Sequence, residues 1–568
     1  MEASPNFTHS LSLARRAGFG RQRIMSAGYY WSLFEATKGQ WDAAHERAMH
    51  AYVDLCRSYG LSPIALIGRG IPSWAQDSSH LDPPKPKGFE PAAGGYGAPP
   101  SAANLQYYGQ FLTRLAKSFG DKLTAYETWN EPNSLQWFTG TPAQMAAVLM
   151  MQHQGLKAGN PDAMVVALST MRIANSSSCA ARTVLDPRTG PAGWDPAFCK
   201  VCWLEQVLGN MTQPPSQFWD ALSWHPYRLG SGDPGPEAFA PGPRGAIGDS
   251  SVRAEMQAVR AAYSGGKELW NTEYGWRIPS KFSQDEPSGY TIYASMPPHE
   301  DPRTHTEEAM ASYYVQQAAT AYSNGVAVQF YFLLDEGAMT DRWEFGMVGR
   351  SQAYAKAIYF AAATMIRKTD FAEFRQEQLL GDVWLTTSAR DGAETLLVWK
   401  ATGAVDVEIE TSAQSLTVSD MFGNAFTLHP RDRKVFLTLT QSPMYIDCKR
   451  ADLTRVGVAT FQLAAHDETV AVGQTTRSFQ LQGTAPAGCV GSVQAGFLSA
   501  NSTERLLTES LNVAVPAHGV VVGEVYESLL WISDPARPER AVGRLASSVN
   551  VTSRATSKTE DEAAQSSE

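Results

Sequence analysis

Two glutamates directly follow short apolar runs that we predict to be strands. Glu131 stands in the motif Trp129-Asn130-Glu131-Pro132-Asn133, and Glu273 stands in Asn271-Thr272-Glu273-Tyr274-Gly275-Trp276. Retaining cleavage of a glycosidic bond needs two carboxyl groups, one protonated to serve the leaving oxygen and one ionised to attack the anomeric carbon. Burial and close like charges raise the pKa of one member of such a pair. Glu131 and Glu273 are therefore candidate catalytic residues.

The elements around these glutamates must bring them together, because they lie 273 − 131 = 142 residues apart. The first two-thirds of the chain alternates short apolar runs with segments of helical period, which predicts βα units and a parallel sheet. In a closed barrel of this kind the strand ends on one face converge. The sequence therefore predicts an α/β fold, a (β/α)8 TIM barrel over residues 1–368.

The apolar runs and the turn signals between them give the predicted elements of this barrel. The predicted strands are Arg23–Tyr30, Pro63–Ile67, Leu123–Trp129, Ala163–Leu168, Ala221–Trp224, Leu269–Thr272 and Val326–Leu333. The predicted helices include Phe7–Ala17, a stripe from Leu105 to Phe119, and a last helix from about Ser351 to Ile366. Long polar loops rich in Pro and Gly follow several strands, at Gln76–Ala103, Leu229–Ser250 and Ile278–Arg303. Barrel enzymes build the active-site face from such loops.

The pattern changes after Asp370, where strand-like runs recur between turn residues without a strong helix. This pattern predicts a β-sandwich accessory domain over residues 369–447. A second β-rich region over residues 448–533 is either a separate small domain or an extension of the sandwich. Residues 534–568 are rich in Ser, Thr, Glu and Ala, with few large apolar residues after Leu545, and we predict a disordered tail.

The composition excludes several classes of protein. The chain has 568 residues, of which 43% are hydrophobic and 18% charged, as is typical of a folded globular protein of two or three domains. A formal net charge of −10 disfavours partners such as nucleic acid and anionic membranes, and no apolar run is long enough to cross a bilayer. The six cysteines form no metal-ligand pattern. We predict no metal and no cofactor.

Sequons and cysteines bear on localisation. Five Asn-x-Ser/Thr sequons favour a secreted or extracellular glycoprotein, although no signal peptide is visible; they lie at Asn6, Asn175, Asn210, Asn501 and Asn550. Cys179 lies in a polar loop and could form a disulfide with either Cys199 or Cys202. Cys56 has the spacing of a helix face, which predicts a buried thiol.

The chain resembles glycoside hydrolase clan A, whose members carry an Asn-Glu pair after the fourth barrel strand and a Glu after the seventh. Within the clan it is most similar to family 39, the β-xylosidase and α-iduronidase group. The resemblance spreads over about residues 20–447. Besides the Glu131 motif it rests on Trp31-Ser32-Leu33-Phe34-Glu35 with Lys38-Gly39-Gln40-Trp41-Asp42, Pro72-Ser73-Trp74-Ala75, Phe345-Gly346-Met347-Val348 and Ser442-Pro443-Met444-Tyr445-Ile446.

This resemblance implies a role for each matching residue. Glu131 would be the acid/base and Glu273 the nucleophile, while Asn130 would bond the 2-hydroxyl of a carbohydrate substrate. His225 and Tyr227 match a His-x-Tyr pair after strand six and would orient Glu273 or a sugar hydroxyl. Aromatic candidates for substrate binding are Trp74, Trp276, Tyr331 and Trp343. Arg23 and Arg69 could reach the cleft from strand ends, although structural pairing is an equal alternative.

The sequence departs from the clan pattern in two places. Only the helix Phe7–Ala17 precedes the predicted second strand. We therefore expect either an N-terminally incomplete chain or a strand recruited from elsewhere, because a missing strand would expose two sheet edges. The last strand, Gln329-Phe330-Tyr331-Phe332, lacks the Trp that forms a floor under the sugar in many relatives.

Two functions follow from these observations. The first is a retaining glycoside hydrolase that acts on β-linked glycans, and the second is a catalytically weak barrel that binds carbohydrate. The missing first strand favours the second alternative. The sequence does not identify the sugar, because specificity resides in the long loops.

Overall fold

The computed structural model divides the chain into two compact units, Met1–Arg367 and Lys368–Glu568. The first unit ends one residue before the boundary that the sequence predicts for the barrel. The structure describes residues 5–24, 27–80, 97–133, 137–171, 203–227, 252–276, 278–279, 306–335, 343–349, 354–369, 372–375, 377–380, 383–401, 403–464, 467–471, 476–483, 489–495, 505–506, 510–514, 525–534 and 536–552.

Seven parallel strands of the first unit form one sheet in chain order, as the predicted TIM barrel requires. Their bounds are β1 Arg21–Ile24, β2 Ser62–Leu66, β3 Ala125–Glu127, β4 Met164–Met171, β5 Ala221–His225, β6 Glu268–Tyr274 and β7 Val326–Tyr331. Each strand pairs with its neighbour in parallel register, for example Ile64 with Ala125 and Leu222 with Leu269. Each predicted strand overlaps one of these strands. The prediction of a strand over Arg23–Tyr30 is wrong at Ala27–Tyr29, which form a turn of 3-10 helix.

Helices alternate with these strands in the first unit. Their bounds are α1 Pro5–Ala17, α2 Ala43–Ser58, α3 Leu105–Phe119, α4 Pro142–Gly159, α5 Trp203–Gly209, α6 Val252–Tyr263, α7 Glu307–Ser323 and α8 Ala357–Thr369, with a short helix at Trp31–Phe34. Capping residues fix several ends. Asp42 accepts hydrogen bonds from the first turn of α2, and Thr141 and Gln144 form a capping box at α4. Gly120 ends α3 with a positive φ of 51°.

The concave face of the sheet is filled by apolar side chains that six successive strands contribute. One buried cluster contains Ile64, Ala125, Val166, Ala221, Trp270 and Phe330. A larger cluster contains strand residues such as Tyr126 together with Leu112 and Leu149 of α3 and α4. Both faces of the strands are therefore buried, which explains why the strands are nearly continuous apolar runs in the sequence.

No strand joins β1 to β7 among the residues that the structure describes, which agrees with the predicted absence of a first strand. Helix α1 packs beside this gap. Its Leu11 and Ala14 lie in a cluster with Cys56 of α2, while its Ser10 donates a 2.7 Å hydrogen bond to Asp335 after β7. Helix α1 thus contacts α2, which follows the edge strand β1, and Asp335, which follows the other edge strand β7.

The second unit contains mostly antiparallel sheets, as expected for a β-sandwich, although its long last strand also makes two parallel pairings. Its strands are β8 Glu373–Phe374, β9 Gln378–Leu380, β10 Val383–Arg390, β11 Ala393–Lys400, β12 Val405–Thr411, β13 Leu416–Ser419, β14 Ala425–Leu428, β15 Lys434–Leu439, β16 Met444–Asp447, β17 Leu453–Val458, β18 Phe461–Leu463, β19 Asp467–Ala471, β20 Thr476–Gly483, β21 Val490–Ala495, β22 Arg505–Leu506, β23 Ser510–Ala514, β24 Val525–Asp534 and β25 Arg537–Thr552. One sheet has the order β8-β10-β11-β16-β13-β14, with β9 beside β10. Another has the order β17-β12-β15-β25-β24-β21-β22, with β19 beside β25, and a third has the order β18-β20-β23.

The predicted disordered tail is wrong over Arg537–Thr552. This segment is a long strand that pairs with β24, and its Val542 and Leu545 are buried. Burial of these two apolar residues and pairing with neighbouring strands stabilise a segment of polar composition. The strand also pairs with β15, and β17 pairs with β12. Residues 448–533 therefore continue the sheets of the sandwich, as the second of the two alternatives expected.

Several predictions concern residues that are only partly described. Cys179, Cys199 and Cys202 lie outside the described residues, so the predicted disulfide stays a prediction. Cys56 is a fully buried free thiol, as predicted. The three long loops fall largely outside the described residues. None of the described helices is both long enough and apolar enough to cross a membrane.

Candidate active site

Glu131 lies just beyond the end of β3 and is 6% exposed. Its backbone has a positive φ of 46°, which turns the chain sharply at the strand end. The Glu131 amide donates a 2.9 Å hydrogen bond to the carbonyl oxygen of Ser169 on β4. Its carboxyl Oε1 lies 2.9 Å from Nδ1 of His225. The carboxyl group is therefore anchored by strands on its own side of the barrel.

Glu273 lies near the end of β6 and is 7% exposed. The hydroxyl of Tyr227 donates to its Oε1 at 2.9 Å, and a guanidinium nitrogen of Arg23 donates to its Oε2 at 2.7 Å. Arg23, on β1, also donates to Oδ1 of Asn130 at 2.9 Å. This carboxylate thus accepts one hydrogen bond from a neutral donor, Tyr227, and one from a charged donor, Arg23.

The two glutamates face each other across a short gap. One carboxylate oxygen of each, together with a ring nitrogen of His225, lies within 4.8 Å of the others. Such a group of three could also coordinate a metal ion by geometry alone. The predicted absence of a metal therefore stays a prediction.

Burial raises the pKa of Glu131 to about 7, against the opposing effects of a Trp137 hydrogen bond and the charges of Arg23 and Arg69. Burial also raises the pKa of Glu273, where Arg23 and the Tyr227 hydroxyl favour the ionised form. Burial lowers the pKa of His225 to about 4, so its ring is neutral at neutral pH. The pair therefore combines a carboxyl group that holds its proton near neutral pH with one that is held by a cation.

A third carboxylate lies deeper in the barrel and was not among the predicted site residues. Glu127 on β3 is fully buried, and its Oε2 accepts a 2.5 Å hydrogen bond from Nε of Arg23. Its Oε1 accepts a 2.5 Å hydrogen bond from the hydroxyl of Ser169. The signal in the sequence was a charged residue inside an apolar strand, four positions before Glu131.

Asn130, His225 and Tyr227 lie at the site that the sequence predicted, although His225 contacts different groups. The His225 ring is fully buried between Glu131 and the hydroxyl of Thr272, at 2.9 and 3.2 Å. Its contact with Glu273 is longer, at 3.8 Å. The His225 ring therefore contacts Glu131 most closely and also lies beside Glu273, and its predicted role in orienting Glu273 or a sugar hydroxyl stays a prediction.

Two aromatic side chains that were predicted to bind substrate pack against other aromatic rings. Trp276 is 2% exposed and lies against Tyr274 and Tyr313. Tyr331 packs on Tyr274 and on Tyr314 of helix α7. The burial of Trp276 contradicts its predicted contact with substrate. Tyr331 is only half-buried, so its predicted contact with substrate stays a prediction.

The predicted contacts of Trp74 and Trp343 with substrate stay predictions. Trp74 is half-buried against Trp31 and Tyr107, and its indole donates to the carbonyl of Glu35. The side chain of Trp343 lies outside the described residues.

Phe345 is an aromatic side chain that contacts a residue of the site and was not among the predicted site residues. Phe345 packs edge-on against Tyr227, with ring centroids 6.2 Å apart, and against Phe332 at 5.6 Å. Both phenylalanines are partly exposed. Phe345 stands in one of the stretches that carried the family resemblance, but phenylalanine is too common in cores for the sequence alone to mark it.

Arg69 approaches Glu131 from the loop after β2. Its guanidinium carbon lies 4.0 Å from the ring centroid of Trp137, and Trp137 in turn hydrogen-bonds Glu131. Gly68 and Gly70 flank Arg69 with φ of 111° and 68°, and a Cβ at Gly70 would lie 2.4 Å from the Tyr30 ring. The two glycines let the loop turn tightly enough to carry Arg69 to the site.

No family model matches the chain, and no curated protein matches it. The chain is similar in structure to a family 39 glycoside hydrolase from Bacteroides cellulosilyticus WH2, with 19% sequence identity, a TM-score of 0.53 and 78% of each chain covered. It also matches a family 30 endoxylanase from Clostridium papyrosolvens C71, with 14% identity, a TM-score of 0.45, and 80% of this chain and 92% of that chain covered. The likeness to the family 39 protein confirms the predicted fold.

Proposed function

We propose that this protein is a retaining glycoside hydrolase that acts on β-linked glycans. The observation that carries the proposal is the gap between Glu131 and Glu273, whose nearest described carboxylate oxygens lie within 4.8 Å. Retaining enzymes hold their two carboxyl groups about 5–5.5 Å apart, whereas inverting enzymes leave about 6.5–9.5 Å for a water molecule. The short gap favours direct attack by one carboxylate over activation of water.

The surroundings of the two glutamates assign their roles. Glu131, with a pKa of about 7, retains its proton near neutral pH and suits the general acid. Glu273 accepts hydrogen bonds from Arg23 and Tyr227, which hold its attacking oxygens in a fixed direction and stabilise its charge. Glu131 is therefore the acid/base and Glu273 the nucleophile, in agreement with the roles that the family resemblance implies.

The reaction then proceeds in two displacements. Glu273 attacks the anomeric carbon while Glu131 gives its proton to the departing glycosidic oxygen, which leaves a glycosyl ester on Glu273 and an ionised Glu131. Ionised Glu131 next takes a proton from water as the water oxygen attacks the anomeric carbon and releases Glu273. The neutral His225 ring beside Glu131 suits both stages, because Nδ1 can accept a hydrogen bond from the acid or, in its other tautomer, donate one to the base.

Similarity to a family 39 glycoside hydrolase supports this proposal through the fold. A barrel of this type can serve many reactions, so the reaction rests on the carboxylate pair and not on the fold. We further propose that the protein acts on polysaccharides outside the cell, and the five sequons support the extracellular location.

The test is hydrolysis of a panel of nitrophenyl β-glycosides, followed by proton NMR of the sugar released first. Retention predicts that the β-anomer forms first and the α-anomer appears only by mutarotation. First release of the α-anomer would refute the retaining mechanism. If calorimetry detects oligosaccharide binding while the wild type and Glu273→Ala show the same negligible turnover, the carbohydrate-binding alternative replaces the enzyme.

A further inference from the structure

Arg23 links three side chains of the site through separate nitrogens. Its Nε donates to Glu127 at 2.5 Å, one terminal nitrogen donates to Glu273 at 2.7 Å and the other donates to Asn130 at 2.9 Å. Arg23 is itself only 7% exposed. The rigid planar fork of a guanidinium transmits its orientation to every group it contacts. The contact of Arg23 with Glu127 therefore also fixes the carboxylate of Glu273.

Glu127 is in turn held by a hydroxyl group on the next strand, which itself contacts a hydroxyl group on the strand after it. Ser169 on β4 donates to Glu127 at 2.5 Å and lies 2.8 Å from the hydroxyl of Ser223 on β5. The Ser223 hydroxyl donates to the carbonyl of Ala167 at 3.0 Å. All of these polar groups are buried, where a satisfied network is rigid and a broken one is costly.

Ser169 joins this network to the other catalytic candidate. Its carbonyl accepts the backbone hydrogen bond of Glu131 at 2.9 Å, while its amide donates to Ser223 at 3.1 Å. Leu168 and Ser169 have φ of 101° and 45°, and the register of β4 with β5 shifts between Ala167 and Thr170. A strained bulge of this kind persists only where the surrounding contacts impose it. One bulge therefore supports Glu131 through its backbone and Glu273 through Glu127 and Arg23.

We infer that Glu127, held by Ser169, is a positioning residue for the reaction proposed above, because it fixes the Arg23 guanidinium that holds Glu273. The negative charge of Glu127 also acts on Glu131. The inference rests on the proposed function and extends it to a group that contacts no substrate. Arg23 supplies one positive charge among three buried carboxyl groups, so the cluster favours one protonated member. In agreement, the charge of Glu127 acts to raise the pKa of Glu131.

Two substitutions separate the charge of Glu127 from its geometry. Glu127→Gln keeps the length of the side chain but removes the charge, so the basic limb of the kcat/KM profile should move to lower pH by about half a unit to one unit. Glu127→Asp keeps the charge but shortens the reach to Arg23, so kcat should fall about tenfold or more while the basic limb stays in place. Ser169→Ala should resemble Glu127→Asp in a milder form, because it loosens Glu127 without removing charge.

The matched control is Glu46→Gln on helix α2. Glu46 is a partly buried carboxylate that, like Glu127, accepts a hydrogen bond from a serine hydroxyl, here Ser118, and it accepts a second from the indole of Trp41. It lies on the outer helical layer. This variant should keep the wild-type kcat and pH profile. If Glu127→Gln leaves the pH profile unmoved, or if Glu127→Asp retains wild-type kcat, Glu127 has no positioning role and the inference is overturned.

A readout without turnover separates this inference from the proposed function. Carboxyl ¹³C NMR of Glu-labelled protein, with the Glu131 signal assigned from its absence in Glu131→Gln, follows the ionisation of Glu131 directly. Glu127→Gln should lower that pKa, and an unchanged titration overturns the inference. If the wild type hydrolyses no glycoside, the proposed function fails, yet this titration still decides whether Glu127 controls the proton on Glu131.

Discussion

The hydroxyl of Tyr227 donates a 2.9 Å hydrogen bond to Oε1 of Glu273, on the opposite oxygen from the one that Arg23 contacts. The two donors together fix the plane of the carboxylate. Phe345 packs against the ring of Tyr227 and limits its motion. A hydrogen bond to a charged group contributes about 1.5–3 kcal/mol, which corresponds to about 10–100-fold in rate if it is needed in the transition state.

Tyr227→Phe should therefore lower kcat/KM for an aryl β-glycoside by about 10–100-fold, because the nucleophile loses one of its two fixed donors. The melting temperature should change little, since the ring and its packing remain. Tyr263→Phe is the matched control, because the Tyr263 hydroxyl bonds Glu205 on helix α5, outside the site. Equal kinetics for Tyr227→Phe and the wild type would remove Tyr227 from the mechanism.

Azide should distinguish the roles of the two glutamates. Glu273→Ala should lose turnover by about 10⁴-fold or more, and azide bound in the space left should attack a substrate with a good leaving group to give the α-glycosyl azide. Glu131→Ala should form the glycosyl ester and pass it to azide, which gives the β-glycosyl azide. NMR of the isolated products checks both outcomes, and the reverse stereochemistry would exchange the two roles.

Much of the barrel could be predicted because its strands are buried on both faces. Runs such as Pro63–Ile67 are apolar throughout and are bounded by turn residues, so their period and length identify them. The tail could not be predicted in this way. Arg537–Thr552 is polar in composition. It pairs with the preceding strand Val525–Asp534 and also with two strands distant in the sequence, Lys434–Leu439 and Asp467–Ala471. The pairing with distant strands leaves no local signal.

The catalytic candidates were predictable because their motifs follow strands, whereas their supports were not. Glu127 and Ser169 are joined across neighbouring strands 42 positions apart, and no spacing in the sequence relates them. The burial of Trp276 could not be predicted for another reason. Tryptophan serves both cores and sugar platforms, and only the structure shows that Trp276 packs against Tyr313 of helix α7.

Arg69 should control the pH at which Glu131 loses its proton. The pKa of Glu131 is about 7, and the charge of Arg69 acts to lower it. The acid form is active, so kcat/KM of the wild type should fall as the pH rises above about 7. Arg69→Met removes the charge and should move this basic limb to higher pH, while Arg69→Lys keeps the charge and should leave it in place.

The kinetic profile of these two variants is measured with an activated and an unactivated aglycone. An activated aryl leaving group needs little acid catalysis, so the basic limb should flatten for that substrate in every variant. If the basic limb of the kcat/KM profile lies at the same pH in Arg69→Met as in the wild type, the cation does not act on Glu131. A limb that moves equally in Arg69→Lys would assign the effect to the lost stacking on Trp137.

Glu131 should also make the fold less stable at alkaline pH. Its pKa rises from an ordinary 4.5 to about 7 in the folded state, and one pKa unit corresponds to about 1.36 kcal/mol. The unfolded chain therefore releases this proton first, and the free energy of unfolding falls by about 3 kcal/mol as the pH rises from 4.5 through 7. Glu131→Gln carries no such proton. Urea unfolding should show the variant about 3 kcal/mol more stable than the wild type at pH 8 and equally stable at pH 4. A constant difference at both pH values would mean that Glu131 is ionised in the folded protein, which would leave the proposed acid without its proton.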